Sequence, residues 1–293
     1  MKTKQDLLTK KELLDIFVNH RTLSSLPGDW ESLSKGSGYE FSDLREMEPS
    51  DPLKSVDWKA TAKTGRYHVR EYLAETYTNL MILCDISKSV AFGRKEMLQA
   101  NIAASLAYTA AVRNHQCGLI LFADKVTEYI PPCMGYEHFM RVLDSIARAE
   151  PEDCPKTDLN RALERLTSEL PESLTFILSD FMYLSESLHN IHGPQSGKTC
   201  HEVIGLRIAE ESELGLPKGS KGIMPLYDYE TGKYALLDIG KWKTYNRCMQ
   251  QKSEHIKKSL NTAGIVCETI TPTDDFRMKI YGLIHRGAFP KCR

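Results

Sequence analysis

The chain has no Cys-x-x-Cys pair. Its eight cysteines, Cys84, Cys117, Cys133, Cys154, Cys200, Cys248, Cys267 and Cys292, stand no closer than sixteen residues apart. Such scatter matches neither a zinc ligand set nor a disulfide framework, so free thiols in a reducing compartment are expected. Long apolar runs are missing too. No window approaches the ~18 uncharged apolar residues of a membrane span. The opening MKTKQDLLTKKELLDIFVNH is interrupted by charge throughout, unlike the apolar core of a signal peptide. An excess of either charge is also lacking: 38 Lys+Arg against 39 Asp+Glu gives a net charge of -1. A nearly neutral chain has no long-range field to collect nucleic acid or anionic membrane. A cytoplasmic protein without membrane insertion is therefore expected. Repeats and low-complexity tracts are absent. What remains is ordinary globular composition, 41% hydrophobic and 26% charged over 293 residues, long enough to bury roughly three quarters of the unfolded surface.

Periodicity divides the chain near residue 77. Leu7, Leu8, Leu13, Leu14, Phe17 and Val18 predict a helix over residues 4–20. A Gly-, Ser- and Pro-rich stretch then reads as a segment wrapping a core built elsewhere. Residues 1–77 are thus an N-terminal helix and wrapping segment. From residue 78 the pattern alternates short apolar runs with helical stretches. Strands are predicted at 79–84, 118–122, 126–130, 174–178, 203–206 and 265–270. Helices are predicted at 94–113, 136–149, 158–170, 242–263 and 275–286. Residues 222–239 read as a hairpin. Strands alternating with helices imply an α/β fold with a mostly parallel central sheet covered on both faces. Ligands in such folds sit beyond the carboxyl ends of the strands.

The residues at those ends carry oxygen. The first buried run closes in Asp85-Ile86-Ser87-Lys88-Ser89; spacing by two along near-extended chain would put Asp85, Ser87 and Ser89 on one side. The fourth ends in Ser179-Asp180, and Lys156-Thr157-Asp158 precedes the helix at 158. Two carboxylates and three hydroxyls, with no thiolate or imidazole, suit Mg²⁺, with Mn²⁺ as the alternative, rather than zinc. A metal held mainly by neutral hydroxyls stays electrophilic and favours an outside carboxylate. The competing reading of these residues is a helix cap and ordinary turn residues.

Asp85-x-Ser87-x-Ser89, Thr157 and Asp180 resemble the metal-ion-dependent adhesion site of von Willebrand factor A domains. Further blocks resemble a bacterial domain-of-unknown-function family whose members often accompany MoxR-type AAA+ ATPases. These are Gly38 to Glu46, Val56 to Lys63 around Trp58, Val69-Arg70-Glu71-Tyr72, Thr157-Asp158-Leu159, Ser179-Asp180-Phe181 and Asp228-Tyr229-Glu230-Thr231-Gly232. The resemblance covers about residues 36 to 286. It implies a three-layer, Rossmann-like von Willebrand factor A domain over residues 78–293 and a non-catalytic, metal-dependent interaction module. It also implies a MoxR-type AAA+ ATPase as partner and an acidic client segment, with Asp85, Ser87, Ser89, Thr157 and Asp180 holding Mg²⁺. Adhesion domains have Gly after the last Asp, where this chain has Phe181, in agreement with the bacterial family.

Other motifs point elsewhere. A metal-dependent phosphohydrolase on a similar sheet is the enzyme alternative, but its second carboxylate would stand where this chain has Ser87, which cannot act as a general acid near neutral pH. Gly193 to Thr199 is one residue short of a Walker phosphate loop. His189, His192 and His201 lack an HExxH context and read as exposed loop histidines. Arg45, Asp57, Trp58 and Arg70 read as a buried ion pair beside a packed tryptophan.

Overall fold

The computed structural model describes residues 35–36, 40–47, 56–73, 79–152, 157–184, 188, 200–227 and 234–285. The helix expected over residues 4–20 and the loop at 189–199, with His189 and His192, lie outside the described residues. Contacts separate the chain into two units, Gly28–Thr78 and a larger one whose described part begins at Asn79.

The first unit has a sheet and a helix of its own. Strands β1 (Lys35–Gly36), β2 (Glu40–Glu46) and β3 (His68–Leu73) form an antiparallel sheet in the order β1-β3-β2. Between β2 and β3 lies helix α1 (Trp58–Thr64). The Asp57 side chain accepts from the N–H groups of Lys59 and Ala60 at 2.8 and 3.0 Å, which satisfies two donors at the helix start. Gly65 ends the helix with φ 73°, a conformation glycine adopts without penalty. The expected packed tryptophan is corrected here. Trp58 is 63% exposed and meets Tyr67 edge-on, with ring centroids 6.4 Å apart. Asp57 serves as a helix cap, and the side chains of Arg45 and Arg70 fall outside the described residues.

The larger unit begins with β4 (Asn79–Asp85), α2 (Lys95–Val112), β5 (Gln116–Phe122), β6 (Val126–Cys133) and α3 (Tyr136–Arg148). Next come α4 (Leu159–Glu169), β7 (Glu172–Ser179), β8 (Cys200–Ile208) and the short α5 (Glu211–Leu214). The hairpin β9 (Ile223–Tyr227) and β10 (Tyr234–Asp238) leads through a 3-10 turn into α6 (Trp242–Thr262), β11 (Val266–Ile270) and α7 (Phe276–His285). Six strands make one sheet in the order β11-β8-β7-β4-β5-β6, parallel except for β6, which returns antiparallel to β5.

Alternation in the strands decides which helix each face receives. Met81, Leu83, Ile120, Phe122, Ile177 and Val203 pack with Leu159, Leu163 and Leu166 of α4 and with Ile256 and Leu260 of α6. Helix α2 packs against β4 and β5 and also against α3, covering the other face. Its alanines allow this. Ala100, Ala103, Ala104, Ala107 and Ala110 are buried, and small side chains bring the helix axis close to the sheet. Gly118 serves the same end within the sheet, because a Cβ there would meet Met81 Sδ at 2.5 Å and Ile130 O at 2.8 Å. Leu80, Ile82, Leu119 and Phe176 have no exposed surface, and each such burial contributes about 1.5–3 kcal/mol. His201 departs from the sequence reading. It is fully buried in β8, with Nδ1 2.8 Å from Ser173 Oγ, because the strand begins at Cys200 and carries it inside.

Among the described residues no helix is long and apolar enough to cross a membrane. The described cysteines, Cys84, Cys117, Cys133, Cys248 and Cys267, are free thiols, and burial pushes Cys117 up to about 12.

Candidate metal centre

Strand order sets the location. From β4 the chain crosses through α2 to β5 on one side, while β7 continues to β8 on the other. The adjacent ends of β4 and β7 therefore flank the point where the winding reverses, the place where open α/β sheets form a crevice. Asp85 closes β4 and Asp180 follows β7.

Asp85 is 2% exposed and holds two donors: the Ser87 N–H reaches Oδ1 at 2.9 Å, and the Ser179 hydroxyl reaches Oδ2 at 2.6 Å. The second bond ties the two strand ends together. Beyond Ser87 the chain turns, with the Val90 N–H donating to Ser87 O at 3.2 Å. Ser89 thus reaches Ser87 through a turn and not through the extended spacing expected from sequence; the two hydroxyl oxygens are 3.0 Å apart. Ser87 is also bridged in parallel fashion to Glu152, whose N–H donates to Ile86 O at 2.8 Å. Thr157 stands on the same rim, half-buried, one residue before Asp158, whose N–H donates to Ala123 O just past β5 at 2.7 Å. No hydrogen bond among the described residues joins the Thr157 side chain to the other four.

Asp180 accepts from the Met182 N–H at Oδ1, 3.1 Å, and from Lys95 Nζ at Oδ2, 3.1 Å. Lys95 is 1% exposed and also donates to Glu213 at 2.7 Å. A cation in the first turn of a helix works against the helix dipole, so the two carboxylates, not local preference, explain this lysine. Burial drives its pKa down, but Asp180 and Glu213 more than offset that, and the net direction is up. The carboxyl of Asp85 is pushed up to about 6, first by burial and then by the charge of Asp180. Gln99, one turn beyond Lys95, donates from Nε2 to the carbonyls of Asp85 and Leu178 at 2.9 and 3.4 Å and clamps the two strand ends from below. The segment before α2 is strapped to the far side of the rim, where the Arg94 N–H donates to Glu210 at 2.6 Å. A small cleft open to solvent reaches Asp85 and Ser87 from the side of α2 and α3, with Val90, Gln99, Ile146 and Pro151 in its walls.

Phe181 adopts φ 52°, the left-handed region that residues other than glycine rarely enter. Its ring is buried, and Gly205 leaves it space: a Cβ there would come 3.2 Å from the ring. Ring burial offsets a backbone cost of about 1–2 kcal/mol.

Residues 43–258 match the family described as protein of unknown function DUF58. The chain belongs to the DUF58 family. It is 25% identical over 225 residues to the uncharacterized protein Rv1480 of Mycobacterium tuberculosis, an alignment covering 75% of this chain and 69% of that one. The uncharacterized protein Mb1516 of Mycobacterium bovis aligns with the same identity and coverage.

In this DUF58 chain the oxygens that could take a hard cation are the hydroxyls of Ser87, itself buried, and of Ser89. Ser87 and Ser89 offer lone pairs at close range, whereas both oxygens of Asp85 and of Asp180 already accept hydrogen bonds. Among the described residues no three His, Cys, Asp or Glu side chains gather as a metal cluster, so a carboxylate cage is not what forms here. Sequence reasoning missed Lys95, Gln99, Ser179 and Glu213. A signal for the first two was present: Lys95, Gln99, Ile102 and Leu106 share the buried stripe of α2, so its rim end had to carry polar groups.

Proposed function

We propose that the larger unit is a von Willebrand factor A-like interaction module, with Mg²⁺ held at the rim by Ser87 and Ser89 directly and by Asp85, Asp180 and Thr157 through water or at longer range. The bound ion supplies Lewis acidity that captures a carboxylate of a partner protein. By the resemblance, the module is an adaptor for a MoxR-type AAA+ ATPase acting on a client with an acidic segment.

The observation that carries this reading is the charge balance of the rim. Asp180 and Glu213 face Lys95 and the buried Arg207, whose charge acts on both, and the buried Asp85 feels the charge of Asp180 beside it. Three carboxylates against two cations leave one negative charge. A divalent ion turns that into one positive charge in a poorly solvated place, where an unpaired charge is costly. An external carboxylate restores neutrality. Asp85 is a poor nucleophile for phosphoryl transfer, since it is 2% exposed and both its oxygens are engaged, so the interaction reading is preferred to the phosphohydrolase.

The test is co-elution of the purified chain with a MoxR-type ATPase from the same genome. Complex with Mg²⁺, its loss in chelator and its absence for the double substitution Ser87→Ala, Ser89→Ala are expected. Complex formation indifferent to chelator and to both substitutions refutes the metal-dependent adaptor.

A further inference from the structure

The hairpin β9–β10 exposes an apolar face that the metal rim does not use. Its register pairs Tyr234 with Tyr227, Leu236 with Pro225 and Asp238 with Ile223, so these six side chains share one face. Ile223 is 70% exposed, Tyr234 78%, Leu236 77% and Tyr227 40%. The two tyrosine rings lie against each other at a tilt of 45°, with centroids 4.5 Å apart. Met224 and Leu237, on the opposite face, are half-buried. A two-stranded hairpin gains little stability alone in water, and a contiguous exposed apolar patch on such an element marks a contact surface.

Two features say what kind of partner fits. The first is the strand edge. Among the described residues β10 pairs with β9 alone, so its outer N–H and C=O groups form an open ladder. Pro225 removes a donor from β9 and blunts that edge; β10 has no proline. An open ladder is completed by another backbone, which a lipid surface lacks. The second is charge. Lys218 and Lys221 precede the hairpin, and Lys241, Lys243 and Arg247 follow it, all exposed; over residues 215–250 the sequence carries six Lys or Arg against three carboxylates, Asp228, Glu230 and Asp238.

We propose that β10 and the apolar face of the hairpin dock an extended segment of a partner protein in which apolar residues alternate with Asp or Glu. The segment adds as a third strand. Its apolar side chains cover Tyr234 and Leu236, and its carboxylates pair with the flanking lysines. This surface needs no metal and stands apart from the reading of the rim.

The experiment uses the full chain and a short labelled peptide alternating Val and Glu, followed by fluorescence anisotropy. Binding that weakens in high salt, persists in chelator and protects the amides of Tyr234–Asp238 from hydrogen exchange is expected. Leu236→Glu weakens it by about tenfold or more, because it removes apolar contact and adds like charge. So does the double substitution Lys221→Glu, Lys241→Glu; all three positions are exposed, so folding is retained, as circular dichroism will verify. The proposal is overturned if the peptide does not bind, or if a Val–Lys peptide binds equally well. Loss of binding in chelator also overturns it, by putting the peptide on the rim. Two further results do the same: capture of the wild type but not Leu236→Glu by anionic vesicles, which gives the face to lipid, and a dimer that Leu236→Glu dissociates, which gives it to a second copy.

Discussion

Asp85 provides the sharpest energetic test, through the substitution Asp85→Asn. Free in an unfolded chain, the carboxyl ionises near 3.8; in the fold it is pushed up to about 6 by burial and by Asp180. An acid with a raised native pKa keeps its proton in the native state where the unfolded chain has lost it. Stability therefore falls as pH rises between the two values. The full cost, about 3 kcal/mol, is present above pH 6 and roughly half of it at pH 5. Asp85→Asn removes this cost. It also weakens the bonds from the Ser87 N–H and the Ser179 hydroxyl, about 1 kcal/mol together once the amide oxygen takes over one of them. In chelator at pH 7.5 the variant should be more stable than wild type by about 1–2 kcal/mol, which raises Tm by about 2–6 °C. At pH 5 that advantage disappears. With Mg²⁺ at about a hundredfold excess over its dissociation constant from the wild type the advantage of the variant shrinks, since bound metal adds about 2.7 kcal/mol to the wild type and less to a variant without the Asp85 charge. Calorimetric melting at both pH values, with and without Mg²⁺, measures all of this. A variant that is less stable in chelator at pH 7.5, or equally favoured at both pH values, refutes the reasoning.

Lys95→Met leaves Asp180 and Glu213 facing each other across a buried space; a loss of about 3–5 kcal/mol by urea denaturation is expected, and adding Asp180→Asn should recover part of it. Gly118→Ala forces a methyl group against Met81 and the backbone of β6, so a loss of about 1–3 kcal/mol is expected; a neutral result would show that β6 moves freely away from β5.

The central sheet was legible because its strands are buried on both faces. Asn79 to Cys84, Gly118 to Phe122 and Leu174 to Leu178 are continuous apolar runs, and α3 and α4 keep a 3.6-residue stripe, whereas α2 is buried on most sides. The Gly28–Thr78 unit was not. Its strand β2, Glu-Phe-Ser-Asp-Leu-Arg-Glu, carries too much charge to read as a strand, and its register shifts between Phe41 and Asp43. Helix α1 is too short for periodicity, and only Asp57 as a cap announces it. At the rim, the positions of Asp85, Ser87, Ser89 and Asp180 were legible from their standing after strands, and that of Thr157 from the loop before α4. Lys95 and Glu213 do not, because their pairing joins positions 118 residues apart and depends on how α2 and α5 meet. His201 was misread because the start of β8 has no apolar run to announce it.

Isothermal titration of Mg²⁺ into the wild-type chain and into the double substitution Ser87→Ala, Ser89→Ala tests the metal centre most directly. Saturable heat at one site per chain in the wild type, abolished in the variant while its fold is retained, is the predicted result. Equal heats in both, or none in either, would contradict it.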